Sequence, residues 1–418
     1  MGEDHIRGPT RTLLGCASND SLCIVRTYQD EVIVVPVFLI GLTVILLAVI
    51  LWMRYRTVKT SEHKQADGRS QISQNGLNSG VSLEELSLEA VQRTTDASLQ
   101  ALETPWDRVR KPLQLLGEGQ FGPIYKTVLN VPGGGQERDI VIKQLRDSAG
   151  PSSTRDFLQR SAFQAWLGRH PHFVELVGCC TVEKPFCMLL ENIEPGCLLN
   201  FLWDCRRDVL SMDGILYDIT ECQVYIIALQ ILSALEFLHK RNLLHGDVAA
   251  RNVLIHRNFT AKLAGLGSAC TMQLSGSFPS RSPAPLKWMA PERLLQLPLS
   301  GKSDVWSFGI FLYEMISLGA PPYPEVPPSS ILQHLQRGNI MQRPSTCKPS
   351  MYTIMKSCWS WRHSERISLS ELQTRLEVGK RNSNDKTVLQ VPELVVPELY
   401  AGVAGTEPLK MEADYTVL

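Results

Sequence analysis

Residues 243–267 read LLHGDVAARNVLIHRNFTAKLAGLG. The stretch is an apolar strand end, a polar loop and a second short hairpin. Its polar loop carries His245-Gly246-Asp247 and Arg251-Asn252, and Gly265-Leu266-Gly267 follows the hairpin. Strand-like runs lie upstream: LQLLG at 113–117, PIYKTVLN at 123–130, DIVIKQL at 139–145 and FCMLLEN at 186–192. Helical runs dominate downstream, with VYIIALQILSALEFLHK at 224–240 and DVWSFGIFLYEMISL at 304–318. Strands followed by helices predict an α+β arrangement in two lobes.

Further upstream, Gly117, Gly119 and Gly122 form a G-x-G-x-x-G pattern after a strand-like run. Glycines there let backbone N–H groups approach phosphates, although the same pattern also makes a tight hairpin. Lys143 ends the apolar run Ile140-Val141-Ile142, where it is either a phosphate ligand or a solvated strand end.

In order and spacing these motifs resemble the glycine-rich loop, strand lysine, catalytic loop and metal-binding turn of protein kinases. The resemblance covers residues 112–378 and implies a bilobal protein kinase fold, a small antiparallel-sheet lobe joined to a larger helical one. Ala249-Ala250-Arg251-Asn252 and Pro285-Leu286-Lys287-Trp288-Met289-Ala290-Pro291-Glu292 are similar to the receptor-like tyrosine kinases. Carried over position by position, the resemblance gives ATP as cofactor with Mg or Mn. Gly117, Gly119 and Gly122 would cradle phosphates, Ile124 would cover adenine and Lys143 would grip the α and β phosphates. Leu190 falls in the gatekeeper place, and Glu191 and Asn192 would offer hinge backbone groups to adenine. Asp247 would accept the substrate hydroxyl proton and Asn252 would hold the metal. Asp304, Glu292 and Arg366 fall on structural positions of the large lobe.

This is a degenerate member of the pattern. Gly246 replaces the Arg beside the catalytic Asp, and Gly265 replaces the metal-binding Asp. The helical run 153–168 contains no Glu to pair with Lys143; an ungapped count puts Arg160 in that place and Asp156 one turn earlier. Both cations would repel if turned inward. The segment 268–286 has no Tyr and reads as a Ser-rich loop. Two functions stay open: a tyrosine-protein kinase of reduced or unusual efficiency that feeds growth signalling, or a catalytically dead pseudokinase acting as a membrane scaffold or binding module.

The flanks set the address. Val32 to Met53 carries no charge, and a helix of that length spans about 33 Å, enough for the bilayer core. Arg54, Arg56, Lys59 and Lys64 follow it, while Asp30 and Glu31 precede it. The uncharged run predicts one span, and the positive-inside bias puts residues 1–31 outside and the C-terminal bulk in the cytosol; the plasma membrane is the expected location. Asn19-Asp20-Ser21 would be an outer sequon. Residues 54–111 read as a flexible linker and 379–418 as a disordered polar tail. In that tail, Tyr400 and Tyr415 suit phosphotyrosine readers, and Thr416-Val417-Leu418 suits a PDZ-type groove. Other partners would be protein substrates or adaptors, with a possible homo-oligomer through the span. Lys plus Arg (42) balance Asp plus Glu (42), which gives no reason to expect nucleic acid. The 11 cysteines show no metal-ligand spacing and read as reduced, buried thiols.

Overall fold

The computed structural model describes residues 99–404 apart from 131–136, 207–216, 276–283, 392–394 and 396. The expected outer segment, span, Asn19, Tyr415 and C-terminus lie outside the described residues, as does most of the linker.

The small lobe is a five-stranded sheet in the order β1-β2-β3-β5-β4. Its strands are β1 (Gln114–Glu118), β2 (Pro123–Leu129), β3 (Arg138–Gln144), β4 (Leu176–Cys180) and β5 (Cys187–Glu191). All four pairings are antiparallel. Successive side chains of β3 point to opposite faces. Ile140 and Ile142 therefore join Leu189 and Cys187 in one cluster, while Val141 joins Phe157, Phe163 and Leu190 in the other. Lys143 shares the Val141 face, so alternation alone turns its side chain toward α1 (Pro151–Leu167). Helix α1 starts with Pro at its first turn and stops at Gly168, φ +78°.

In the large lobe, α2 is Leu198–Asp204, α3 is Glu221–His239, α4 is Gly267–Ser275 and α5 is Gly301–Ile316. Thr220 and Gln223 close a capping box at the start of α3. Among the described residues, α3 is long and apolar enough to cross a membrane by length and composition. Here it is a core helix, with Val224, Ile227, Ile231 and Leu235 fully buried. A three-stranded sheet, β6 (Pro195–Cys197), β7 (Val253–His256) and β8 (Ala261–Leu263), carries the expected second hairpin.

Three expectations change. The linker ends before 112: Leu99 and Val109 are buried, and Glu103 accepts hydrogen bonds from the Thr181 amide (2.8 Å) and hydroxyl (2.7 Å). The segment after Gly267 is not wholly a loop, because its first half is α4, packed on α1 with Ala269 and Cys270 buried. Ala, Cys, Met, Gln and Leu at 269–274 supply its helix-compatible run among the serines.

The tail is also folded where it is described. Helix α6 (Leu369–Asn382) runs beyond 378, and the Leu389 amide donates to Ile219 O at 2.8 Å. Helix α7 (Pro397–Ala404) follows. Tyr400, Ala401 and Ala404 are buried at helical spacing, a stripe concealed by the polar average of the segment.

Candidate active site

The singled-out residues lie on β1 and the turn after it, on β2, β3 and the exit of β5, and on the loop before β7. Gly117 lies in β1, paired with Ile124, and Gly119 lies in the β1–β2 turn. The Gly119 amide donates to Gly122 O at 2.8 Å, which closes the turn on itself. Gly122 has φ +153°, and a Cβ there would lie 2.5 Å from Gln144 O, so a side chain is excluded by the backbone of β3. Arg146 fastens the loop: Nε donates to Glu118 at 2.7 Å, Nη2 to Gly119 O at 3.1 Å and Nη1 to Gln120 O at 3.2 Å. The Phe121 ring meets Phe157 of α1 edge-on at 5.4 Å and lies 5.1 Å beneath the Arg160 guanidinium. Ile124 is buried opposite Lys143 in the β2–β3 register.

Lys143 is buried and, among the described residues, has no ion pair or hydrogen bond. Desolvation and then the charge of Arg160 lower its pKa to about 7. Arg160 is thus the charge of α1 that reaches Lys143, and an ungapped count expects Glu in its place. Its Nε donates to Asp156 at 3.0 Å and Nη2 at 3.3 Å. A Cβ on Gly267 would lie 2.5 Å from Arg160 Nη1, which places the guanidinium at the Gly265-Leu266-Gly267 turn.

At the β5 exit, Leu190 is buried and pairs with Val141. The Glu191 amide is used by Glu175 O at 3.1 Å. Its carboxylate pairs with Lys262 at 2.7 Å and accepts from the Glu175 amide at 2.7 Å. Asn192 Nδ2 donates to Glu194 at 3.2 Å.

The loop at 245–252 hangs from Asp304. That carboxylate accepts the amides of His245 (2.9 Å) and Gly246 (2.8 Å) and pairs with His239 at 2.8 Å. Burial alone would raise its pKa, but these donors hold it below the usual carboxylate value. His245 Nε2 contacts Ala264 O at 2.7 Å, tying the loop to the following turn. Asp247 forms a buried ion pair with Arg251. Asn252 Nδ2 donates to Asp247 O at 2.6 Å. Gly265 has φ +71°, and a Cβ there would meet Asn252 Oδ1 at 2.6 Å. The Asn252 amide thus lies where a side chain at 265 would begin.

Behind the loop is a cluster that sequence reading misses. The Arg251 guanidinium lies 4.4 Å over the Trp288 ring and reaches the Tyr400 hydroxyl at 3.5 Å. The Tyr400 hydroxyl donates to Glu314, which also accepts the Ala250 amide at 2.9 Å. Burial pushes the Glu314 carboxyl up to about 7 despite Arg251. Tyr400 is pushed well above its ordinary value, by burial first and then by Glu314. Trp203 and Trp288 face its ring edge-on at 5.8 and 5.3 Å. Helical spacing of Tyr400 with Ala404 after Pro397 is the signal that could have found it.

The match to known proteins follows this geometry. A family profile described as protein tyrosine and serine/threonine kinase matches residues 111–376. The chain belongs to that kinase family. It is 47% identical over 421 residues to tyrosine-protein kinase STYK1 of Homo sapiens, spanning 98% of this chain and all of that protein. The STYK1 of Mus musculus is 47% identical over 432 residues, with both chains covered throughout. The tyrosine-protein kinase Abl of Drosophila melanogaster is 34% identical over 277 residues, 65% of this chain and 16% of its own. The two STYK1 proteins are the tyrosine-kinase-like relatives also called novel oncogene with kinase domain.

Membership implies ATP with Mg or Mn. Lys143 on β3, the turn closed between Gly119 and Gly122 and the exit of β5 are where the family pattern would take the nucleotide. The metal half does not fit a resident divalent cation. Among the described residues no group of three or more His, Cys, Asp or Glu side chains converges on a possible ion. Asn252 Oδ1 is buried without a hydrogen-bond partner, but it is a neutral oxygen, and the nearby Asp247 carboxylate is held by Arg251. Hard divalent ions favour a set of oxygens that includes carboxylates.

Proposed function

We propose that this chain is a single-pass membrane signalling protein whose tyrosine-kinase-class domain binds ATP and transfers phosphate to protein tyrosine at low efficiency. The observation that carries this reading is the Asp247–Arg251–Asn252 constellation, anchored through Asp304 as in a working catalytic loop. In that reading a substrate phenol approaches Asp247, which accepts its proton as the phosphoryl group moves. Arg251 pairs with the carboxylate and holds it in place. Lys143 meets the phosphates, and Leu190 and the hinge backbone seat adenine. The low efficiency follows from the same cleft, since Gly265 supplies no carboxylate and Lys143 has Arg160 as neighbour rather than Glu.

A second reading, a catalytically dead pseudokinase that scaffolds partners, is favoured by α4 packed on α1 and by the closed glycine turn. The span at 32–53, the outer N-terminus and the plasma membrane belong to either reading. So do growth signalling, self-association, a PDZ-type partner at the C-terminus and phosphotyrosine readers at Tyr415. Tyr400 serves such readers only when α7 leaves its pocket.

The test is phosphotyrosine formation by the full chain in detergent micelles with ATP and Mg²⁺ or Mn²⁺. The enzyme reading expects slow incorporation that Lys143→Met and Asp247→Asn abolish. Incorporation no greater than in those variants sinks it and leaves the scaffold.

A further inference from the structure

We propose that the cleft takes a nucleoside triphosphate without a divalent cation, its phosphates held by Lys143 and Arg160. This inference rests on the nucleotide reading above and deepens it.

Three observations converge. Lys143 is buried with no ion pair or hydrogen bond among the described residues. A buried ammonium without a counter-charge is unstable, and an arriving phosphate supplies the missing anion. Arg160 lies 5.1 Å over the Phe121 ring of the glycine turn, and its charge lowers the Lys143 pKa. Its Nε and Nη2 are engaged by Asp156, while Nη1 lies at the Gly265–Gly267 turn. A guanidinium there suits phosphate oxygens through paired N–H donors. Third, the turn itself is stripped of carboxylate. Gly265 has no side chain, and the Asn252 oxygen facing it is neutral.

Charge balance ties these together. In the family pattern one Glu pairs the lysine, one Asp holds the metal, and the metal offsets phosphate charge. Here a carboxylate has become a guanidinium and a second carboxylate is gone. The exchange removes two negative charges and adds one positive charge, of which the Asp156 carboxylate on Arg160 offsets one. A cation entering with the nucleotide would meet Lys143 and Arg160, and the carboxylates of Asp156 and Asp247 are already held by Arg160 and Arg251. The same two side chains replace its electrostatic part at the phosphates, although not its part in aligning the transferred group. Binding without efficient transfer is the expected outcome.

The experiment is equilibrium dialysis of labelled ATP against the full chain in detergent micelles, in EDTA or in excess MgCl₂. Binding in EDTA is expected to be at least as tight as in Mg²⁺. Arg160→Gln should weaken EDTA binding at least tenfold without lowering the melting temperature of the nucleotide-free protein. Arg160→Glu, which offers Lys143 a partner and so keeps the fold, should weaken it further. ATP binding only with Mg²⁺, or unchanged in Arg160→Gln, overturns the inference while leaving the nucleotide reading intact. No binding in either buffer overturns both. Inorganic tripolyphosphate binding as tightly as ATP overturns the nucleoside part.

Discussion

The Tyr400 hydroxyl donates to the Glu314 carboxylate inside the large lobe, joining a helix of the tail to the helix beneath the catalytic loop. Both side chains are fully buried. Tyr400→Phe removes the donor and leaves Glu314 with an unmet lone pair, at a cost of about 1–3 kcal/mol. Chemical denaturation should report that loss. An unchanged midpoint would mean that α7 does not occupy the pocket in solution.

Lys143 should make stability depend on pH. Its folded pKa is about 7 against an ordinary 10.5, so between those values the unfolded chain binds more protons. Stability from this group therefore rises as pH goes from 7 to 10. Buried thiols such as Cys179, pushed up to about 12, add a pH dependence of their own, so the clean quantity is the difference between the wild type and Lys143→Met. That difference should shrink with rising pH, with Lys143→Met the more stable at pH 7. A constant difference would place Lys143 in water or beside a carboxylate.

Restoring the absent acid alone should fail. Gly265→Asp puts a Cβ 2.6 Å from Asn252 Oδ1 at a positive φ. The strain costs about 1–3 kcal/mol, and the new carboxylate meets a displaced amide rather than a formed site. The expectation is a lower melting temperature and no gain in Mg²⁺-dependent phosphotyrosine. Recovery of turnover by this single change would show that Asn252 yields easily.

The Arg366–Glu292 pair is bidentate, 2.6 Å on each arm, and buried on both sides. Ser303 adds a third donor to Glu292 at 2.7 Å. Removing only the carboxylate leaves a buried guanidinium uncompensated, so Glu292→Ala should cost about 3–5 kcal/mol. A urea midpoint close to wild type would count against that burial.

Much of the site was legible because it depends on local order. The lysine follows from strand alternation in β3, and Arg160 follows from counting back along a helix without insertions. Asp304 and the Arg366–Glu292 pair lie in motifs that keep their spacing. What escaped depends on tertiary contact. Tyr400 sits in a segment whose average polarity suggested solvent, and nothing local shows that Trp203, Trp288 and Arg251 form a pocket for it. The helix after Gly267 was hidden by its serines. The contact between Gly265 and Asn252 joins residues on opposite sides of a hairpin. Their separation in the chain says nothing about which atom fills the space of a missing side chain.

The incoming chain at 99–109 has a consequence for how the domain can be cut out. Strand β4 ends the small-lobe sheet, and its Cys179 exchanges backbone hydrogen bonds with Leu102 O (2.9 Å) and the Thr104 amide (2.8 Å). Those residues shield an edge that would otherwise offer unpaired backbone groups to a second molecule. A fragment begun at residue 112, where the motifs start, would leave Cys179 and Cys180 beside a bare strand, so self-association of such a fragment would reflect the cut rather than the native chain.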